Sequence, residues 1–262
     1  MNWIYRSGNW ILCPPQPLAL LHFVGGAFVA TAPQLTYQYL LSRLAQQGYG
    51  VIATPFLVQI DHQAIATEIE ARLRSTYRDL CQDREETAAI PLFGMGHSLG
   101  CKLQLLMACE SPLPRRGNIL ISFNNFNGDR AIPLIDWINL PLSIQFTPTP
   151  AQTLDLVRTE YSLAENLLIR FQTDTLDQTP ELFRGLMTRF PISTLYKRLA
   201  GNHLTPLGPA WEDSPLGTWP LEKTTLEGVG PLLRQTLYRE VHHLEQVILE
   251  WLNQQIASNT RL

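Results

Sequence analysis

A serine, a histidine and a pair of aspartates in this chain carry the types and order of a nucleophilic site. Gly96-His97-Ser98-Leu99-Gly100 has the form G-x-S-x-G, in which one serine is held on a sharp strand-to-helix turn with its hydroxyl outward. A serine hydroxyl is a poor nucleophile near neutral pH. It needs a base to take its proton and a third group to orient that base. His203, within Gly201-Asn202-His203-Leu204-Thr205-Pro206, is the candidate base. Asp177, within Asp174-Thr175-Leu176-Asp177-Gln178-Thr179-Pro180, is the expected acid because it precedes a proline-bounded helix start. Asp174, nearer the preceding strand, is the alternative, and Asp129 an outside one. His97 points away from Ser98 on such a turn, His22 ends a strand, His62 starts a helix, and His242 and His243 lie in a terminal helix. The chemistry implied is attack on a carbonyl carbon through an acyl-Ser98 intermediate.

The oxyanion formed by that attack needs preorganised backbone N–H donors. Leu99, just after the nucleophile, is expected to supply one. The other is expected from the loop His22-Phe23-Val24-Gly25-Gly26-Ala27-Phe28, where Gly26, Ala27 and Phe28 are all candidates.

These groups must be placed by the elements around them. Leu18 to Val24 and Val51 to Ala53 read as buried strands, as do the runs Ile90 to His97, Asn118 to Phe123, Leu167 to Phe171 and Ser193 to Arg198. Trp3 to Arg6 and Trp10 to Cys13 flank Ser7-Gly8-Asn9 as a hairpin. Helical spacing runs from Thr31 to Gly48, from His62 through Ile65, Ile69, Leu73, Tyr77 and Leu80, and along Lys102 to Ala108. A closing helix carries the stripe Leu233, Leu237, Val241, Leu244, Ile248 and Trp251. Alternating strand and helix predicts a mostly parallel, doubly wound α/β sheet with an N-terminal hairpin. The acid loop and the His203 loop then each follow a strand, in the order serine, acid, histidine. Residues 127–165 interrupt the rhythm and are expected to form a helical cap, with a helix starting at Thr149-Pro150. Trp137 and its apolar neighbours in that insertion, and Trp211 and Trp219 after the base, are richer in apolar surface than solvated loops need.

The chain has 262 residues, 45% of them hydrophobic and 16% charged, with a net charge of −3. That suits one domain with a sizeable core and offers no electrostatic footprint for nucleic acid. Cys13, Cys81, Cys101 and Cys109 show no metal or disulfide spacing. The N-terminal residues lack the layout of a signal peptide, and the apolar stretch Leu18 to Ala32 is too short for a bilayer span. A cytoplasmic protein is expected, with peripheral membrane contact left open. With neither a Gly-x-Gly-x-x-Gly run, a phosphate loop nor a metal-ligand set, no cofactor is expected.

The Gly96–Gly100 turn (the elbow), the His22–Gly26 loop, the acid loop and His203 together resemble the α/β-hydrolase superfamily over nearly the whole chain. More narrowly, Gly96 to Gln104, Asp174 to Asp177 and Asn202 to Pro206 resemble an uncharacterised branch found in photosynthetic organisms. The resemblance implies the α/β-hydrolase fold and serine hydrolase chemistry. The expected substrate is a small hydrophobic molecule bearing a carboxylic ester, thioester or lipid acyl ester. A non-catalytic protein that binds a ligand or partner in the same pocket, and an acyltransferase, are the competing functions.

Overall fold

The computed structural model describes residues 1–27, 29–82, 90–110, 113–126, 145–208 and 231–259. Its centre is an eight-stranded sheet in the order β1-β2-β4-β3-β5-β6-β7-β8. The strands are β1 (Ile4–Arg6), β2 (Asn9–Leu12), β3 (Leu20–Val24), β4 (Gly50–Ala53), β5 (Leu92–His97), β6 (Arg115–Ile121), β7 (Glu165–Phe171) and β8 (Thr194–Leu199). β1 and β2 form the N-terminal hairpin and β2 joins β4 antiparallel, while β3 to β8 are mutually parallel.

Residue alternation divides the core between the two faces of the sheet. Leu21, Phe23, Phe93, Met95, Ile119, Ile121, Leu167 and Ile169 pack on Tyr37, which joins α1 (Pro33–Thr36) to α2 (Gln38–Gln46), on α2 itself and on the closing helix α7 (Pro231–Asn259). Val241, Leu244, Ile248 and Trp251 of the expected stripe are buried there; the side chains of Leu233 and Leu237 lie outside the described residues. Their sequence neighbours on the opposite face, among them Leu20, Ile52, Leu92, Leu120 and Leu168, meet α3 (His62–Gln82), α4 (Leu99–Glu110), α5 (Pro150–Thr159) and α6 (Thr179–Arg189). The single helix expected between Thr31 and Gly48 is instead two, broken at Tyr37, whose ring is fully buried.

The described part of the 127–165 insertion corrects the expectation of a cap extending to Glu165. Thr149 caps α5 in a full capping box with Gln152, and Pro150 opens the helix as expected. Leu154 and Val157, however, pack against Leu105, Ala108, Leu182 and Leu186 beside the sheet. α5 is thus a crossover helix between β6 and β7, because its apolar face fits the groove between α4 and α6. Residues 127–144, with Trp137, lie outside the described residues, as do Trp211 and Trp219. Among the described residues no helix is long and apolar enough to cross a membrane.

Candidate active site

The functional side chains gather where the parallel strands end. β5 stops at His97, α4 starts at Leu99, and Ser98 between them adopts φ 55°, a left-handed conformation that is strained for a residue with a Cβ. The tightness of this turn explains its glycines. A Cβ on Gly100 would lie 2.0 Å from the carbonyl oxygen of Val24, and one on Gly96 would lie 2.6 Å from the backbone of Gly100 and Cys101. Only bare backbone lets α4 approach β3 this closely. The Ser98 N–H is anchored to Ile121 O at 3.0 Å, which holds the strained turn against β6.

His203 follows β8 and places its ring between two partners. Its Nε2 is 3.0 Å from Ser98 Oγ and its Nδ1 is 2.8 Å from Asp174 Oδ2. The acid beside the imidazole is therefore Asp174, and the expectation of Asp177 is corrected. Asp174 lies three residues past the end of β7, and its Oδ1 accepts from the Leu176 N–H at 2.9 Å. That local turn aims Oδ2 across to the His203 loop, which Thr173 also grips through Gly201 O at 2.7 Å. Burial acts to raise the Asp174 pKa, but the hydrogen bond and charge of His203, with the Leu176 N–H, outweigh it and hold the carboxyl below its ordinary value.

Asp177 is spent on its own helix. Its Oδ1 accepts from the Thr179 N–H at 2.8 Å and from the Thr179 hydroxyl. Its Oδ2 faces the Arg170 Nε at 3.1 Å as an ion pair that lacks hydrogen-bond alignment. Burial raises the pKa of Asp177 and the charge of Asp174 adds to the rise. The sequence signal for this role is the Asp-x-Thr-Pro spacing, in which an aspartate two residues before a helix start serves the first turn. Asp129 lies outside the described residues.

The His22–Phe28 loop does approach the nucleophile, since a Cβ on Gly26 would lie 3.3 Å from Ser98 Cβ. Its histidine takes no part in the site. His22 is a fully buried β3 residue held by Thr54 Oγ1 at 2.9 Å and by the side chain of Gln104, and burial followed by the charge of Arg115 keeps it well below its ordinary pKa. Of the expected loop donors, Gly26 is already engaged: its N–H donates to Tyr37 Oη at 2.8 Å. Ala27 follows it in the same turn, which Val29 N closes onto Gly26 O, and Phe28 lies outside the described residues. Leu99 occupies the first turn of α4, where backbone N–H groups have no acceptor inside the helix. Among the described residues no group of three or more His, Cys, Asp or Glu side chains is arranged to hold a metal ion.

The mostly parallel sheet, its flanking helices and the strand-to-helix turn at Ser98 make up the α/β-hydrolase fold. A carboxyl esterase 2 from the fungus Tuber melanosporum has the same fold, with a TM-score of 0.56 over 91% of this chain and 81% of its own at 15% identity. A dienelactone hydrolase from Anabaena variabilis aligns with a TM-score of 0.54 over 93% and 89% of the two chains at 14% identity. A thioesterase domain from the curacin biosynthetic pathway aligns with a TM-score of 0.51 over 79% and 94% at 14% identity. No curated protein sequence matches the chain. Residues 2–254 match the model of the family described as "Protein of unknown function (DUF1350)", and the chain belongs to that family.

Proposed function

We propose that the protein is a serine hydrolase that cleaves a carboxylic ester, thioester or lipid acyl ester. The observation that carries this reading is the His203 ring spanning Asp174 at 2.8 Å and Ser98 at 3.0 Å. In the proposed reaction His203 Nε2 takes the Ser98 proton as Oγ bonds to the carbonyl carbon. Asp174 holds the imidazole in the tautomer with hydrogen on Nδ1 and stabilises the imidazolium that forms. The N–H groups of Leu99 and Ala27 receive the oxyanion. His203 then returns its proton to the leaving alcohol or thiol, and water, activated by the same imidazole, releases the acid and restores Ser98.

An apolar acyl portion is the better fit. Leu57 and Ile60 after β4, and Leu204 beside His203, are exposed at the end of the sheet that carries Ser98. Such side chains offer a binding surface for hydrocarbon.

The test is a fluorophosphonate probe. Native protein should be phosphonylated on one serine, and Ser98→Ala should keep its fold while losing both labelling and hydrolysis of chromogenic esters. Labelling that persists in Ser98→Ala refutes the mechanism. Longer acyl chains should be preferred over acetate, and a flat chain-length profile would remove the apolar substrate from the proposal.

A further inference from the structure

Two buried side chains outside the catalytic trio link both loops of the site to the elbow. His97 precedes the nucleophile, and its ring turns away from Ser98 into the protein. Its Nε2 lies 2.9 Å from the carbonyl oxygen of His203 and its Nδ1 lies 2.8 Å from Tyr37 Oη. Tyr37 Oη is in turn 2.8 Å from the Gly26 N.

The direction of every bond in this chain follows from its two ends. A carbonyl oxygen can only accept, so His97 Nε2 carries a hydrogen and donates to His203 O. Burial, then the nearby His203, pushes the His97 pKa down to about 3, so the ring is neutral and its Nδ1 has a free lone pair. The Tyr37 hydroxyl therefore donates to Nδ1. Its oxygen is left to accept from the Gly26 N–H, which can only donate. Burial also keeps that phenol protonated by raising its pKa well above the ordinary value. Each link fills a donor or acceptor that would otherwise be buried and unpaired.

We propose that Tyr37 and His97 are positioning residues that hold the Gly25–Ala27 loop and the His203 loop in register with Ser98. The chain fixes the backbone of the base at one end and the oxyanion-side loop at the other, with the elbow between them. Because Gly26 spends its N–H on Tyr37, the next N–H in the loop, that of Ala27, is the one available to substrate. This role rests on the serine-hydrolase reading.

Fluorophosphonate is first titrated to completion on native protein and on Tyr37→Phe, which keeps the ring and removes the hydroxyl. The endpoint counts competent serines, so any misfolded fraction drops out of the comparison. Per titrated serine, kcat on a chromogenic nitrophenyl ester should fall about 10- to 100-fold with KM unchanged, the scale expected when reacting groups shift by about 1 Å. Tyr49→Phe is the control, since Tyr49 is also buried but donates to Asn253 on α7; its kcat should match that of native protein. Nitrogen-15 NMR of native protein gives a readout independent of turnover. His97 should remain a neutral Nε2–H tautomer down to about pH 5, where an ordinary histidine is charged. Undiminished kcat per serine in Tyr37→Phe, or a His97 proton found on Nδ1, overturns the inference and leaves the hydrolase reading standing. A native protein that takes up no fluorophosphonate on Ser98 overturns the hydrolase reading, and the positioning role falls with it.

Discussion

Replacing Asp174 by asparagine should do far more damage than its near-isosteric change suggests. Asp174 Oδ1 accepts from the Leu176 N–H at 2.9 Å, so the amide oxygen of the introduced asparagine would be held at that position. Its NH2 group would then face His203 Nδ1. A donor there forces Nδ1 to accept and moves the ring hydrogen to Nε2, the atom 3.0 Å from Ser98 Oγ. The imidazole would present hydrogen to the nucleophile instead of a lone pair. Loss of the correct tautomer in such a triad costs about 10⁴-fold in rate, or about 5.4 kcal/mol of transition-state stabilisation at 1.36 kcal/mol per tenfold. Asp177→Asn keeps an oxygen for the Thr179 N–H and loses only its charge opposite the partly exposed Arg170, so less than about a tenfold loss is expected. The assay is kcat/KM on a chromogenic ester together with the rate of fluorophosphonate uptake, for both variants in parallel. If Asp174→Asn kept more than a tenth of native activity, or Asp177→Asn lost as much as Asp174→Asn, the assignment of the acid would be refuted.

Three further outcomes are expected. Gly100→Ala would put a methyl group 2.0 Å from the Val24 carbonyl, backbone that cannot yield, so urea unfolding should show a loss of about 3 kcal/mol or more. Lys102 is buried on α4 with Nζ donating to Pro148 O at 2.7 Å, and burial pushes its pKa from 10.5 down to about 7. Between those values the unfolded chain binds the extra proton, so this group makes stability rise with pH by up to about 1.4 kcal/mol per unit; Lys102→Met should flatten the slope between pH 7 and 10, and an unchanged slope would contradict the account. His62 stacks on Phe146 with both ring nitrogens buried and without hydrogen-bond partners among the described residues. Burial first, then the Lys102 charge, lowers its pKa from 6.5 to about 3, so its neutral folded form loses stability as pH falls through that window. His62→Phe should raise the melting temperature, by about 1–2 kcal/mol in stability, and weaken acid denaturation; a lower melting temperature at pH 7 would show that the ring nitrogens are needed.

The fold and most of the site were legible in the sequence because they rest on local rules. Alternating buried strands and amphipathic helices specify the layered sheet, and the spacing of Gly96, Ser98 and Gly100 specifies a turn that only this strand-to-helix geometry demands. His203 and the acid loop could be placed because each follows a strand, so chain order alone brings them to the same sheet edge. What the sequence left open was decided across the fold. Asp174 and Asp177 have the same chemistry three residues apart; the choice between them depends on which carboxylate is consumed locally, by Thr179 in one case, and which is aimed at another loop. Tyr37 carries no signal in the sequence, since nothing near it reveals that its hydroxyl meets His97 and Gly26, 60 and 11 residues away. The helix at Pro150 was readable from its capping residues, but its seat between α4 and α6 depended on an apolar groove built from distant segments. Local hydrogen-bonding and steric rules act within a few residues and leave a trace in the sequence. Partners chosen across the sheet are set by the packing of the whole chain.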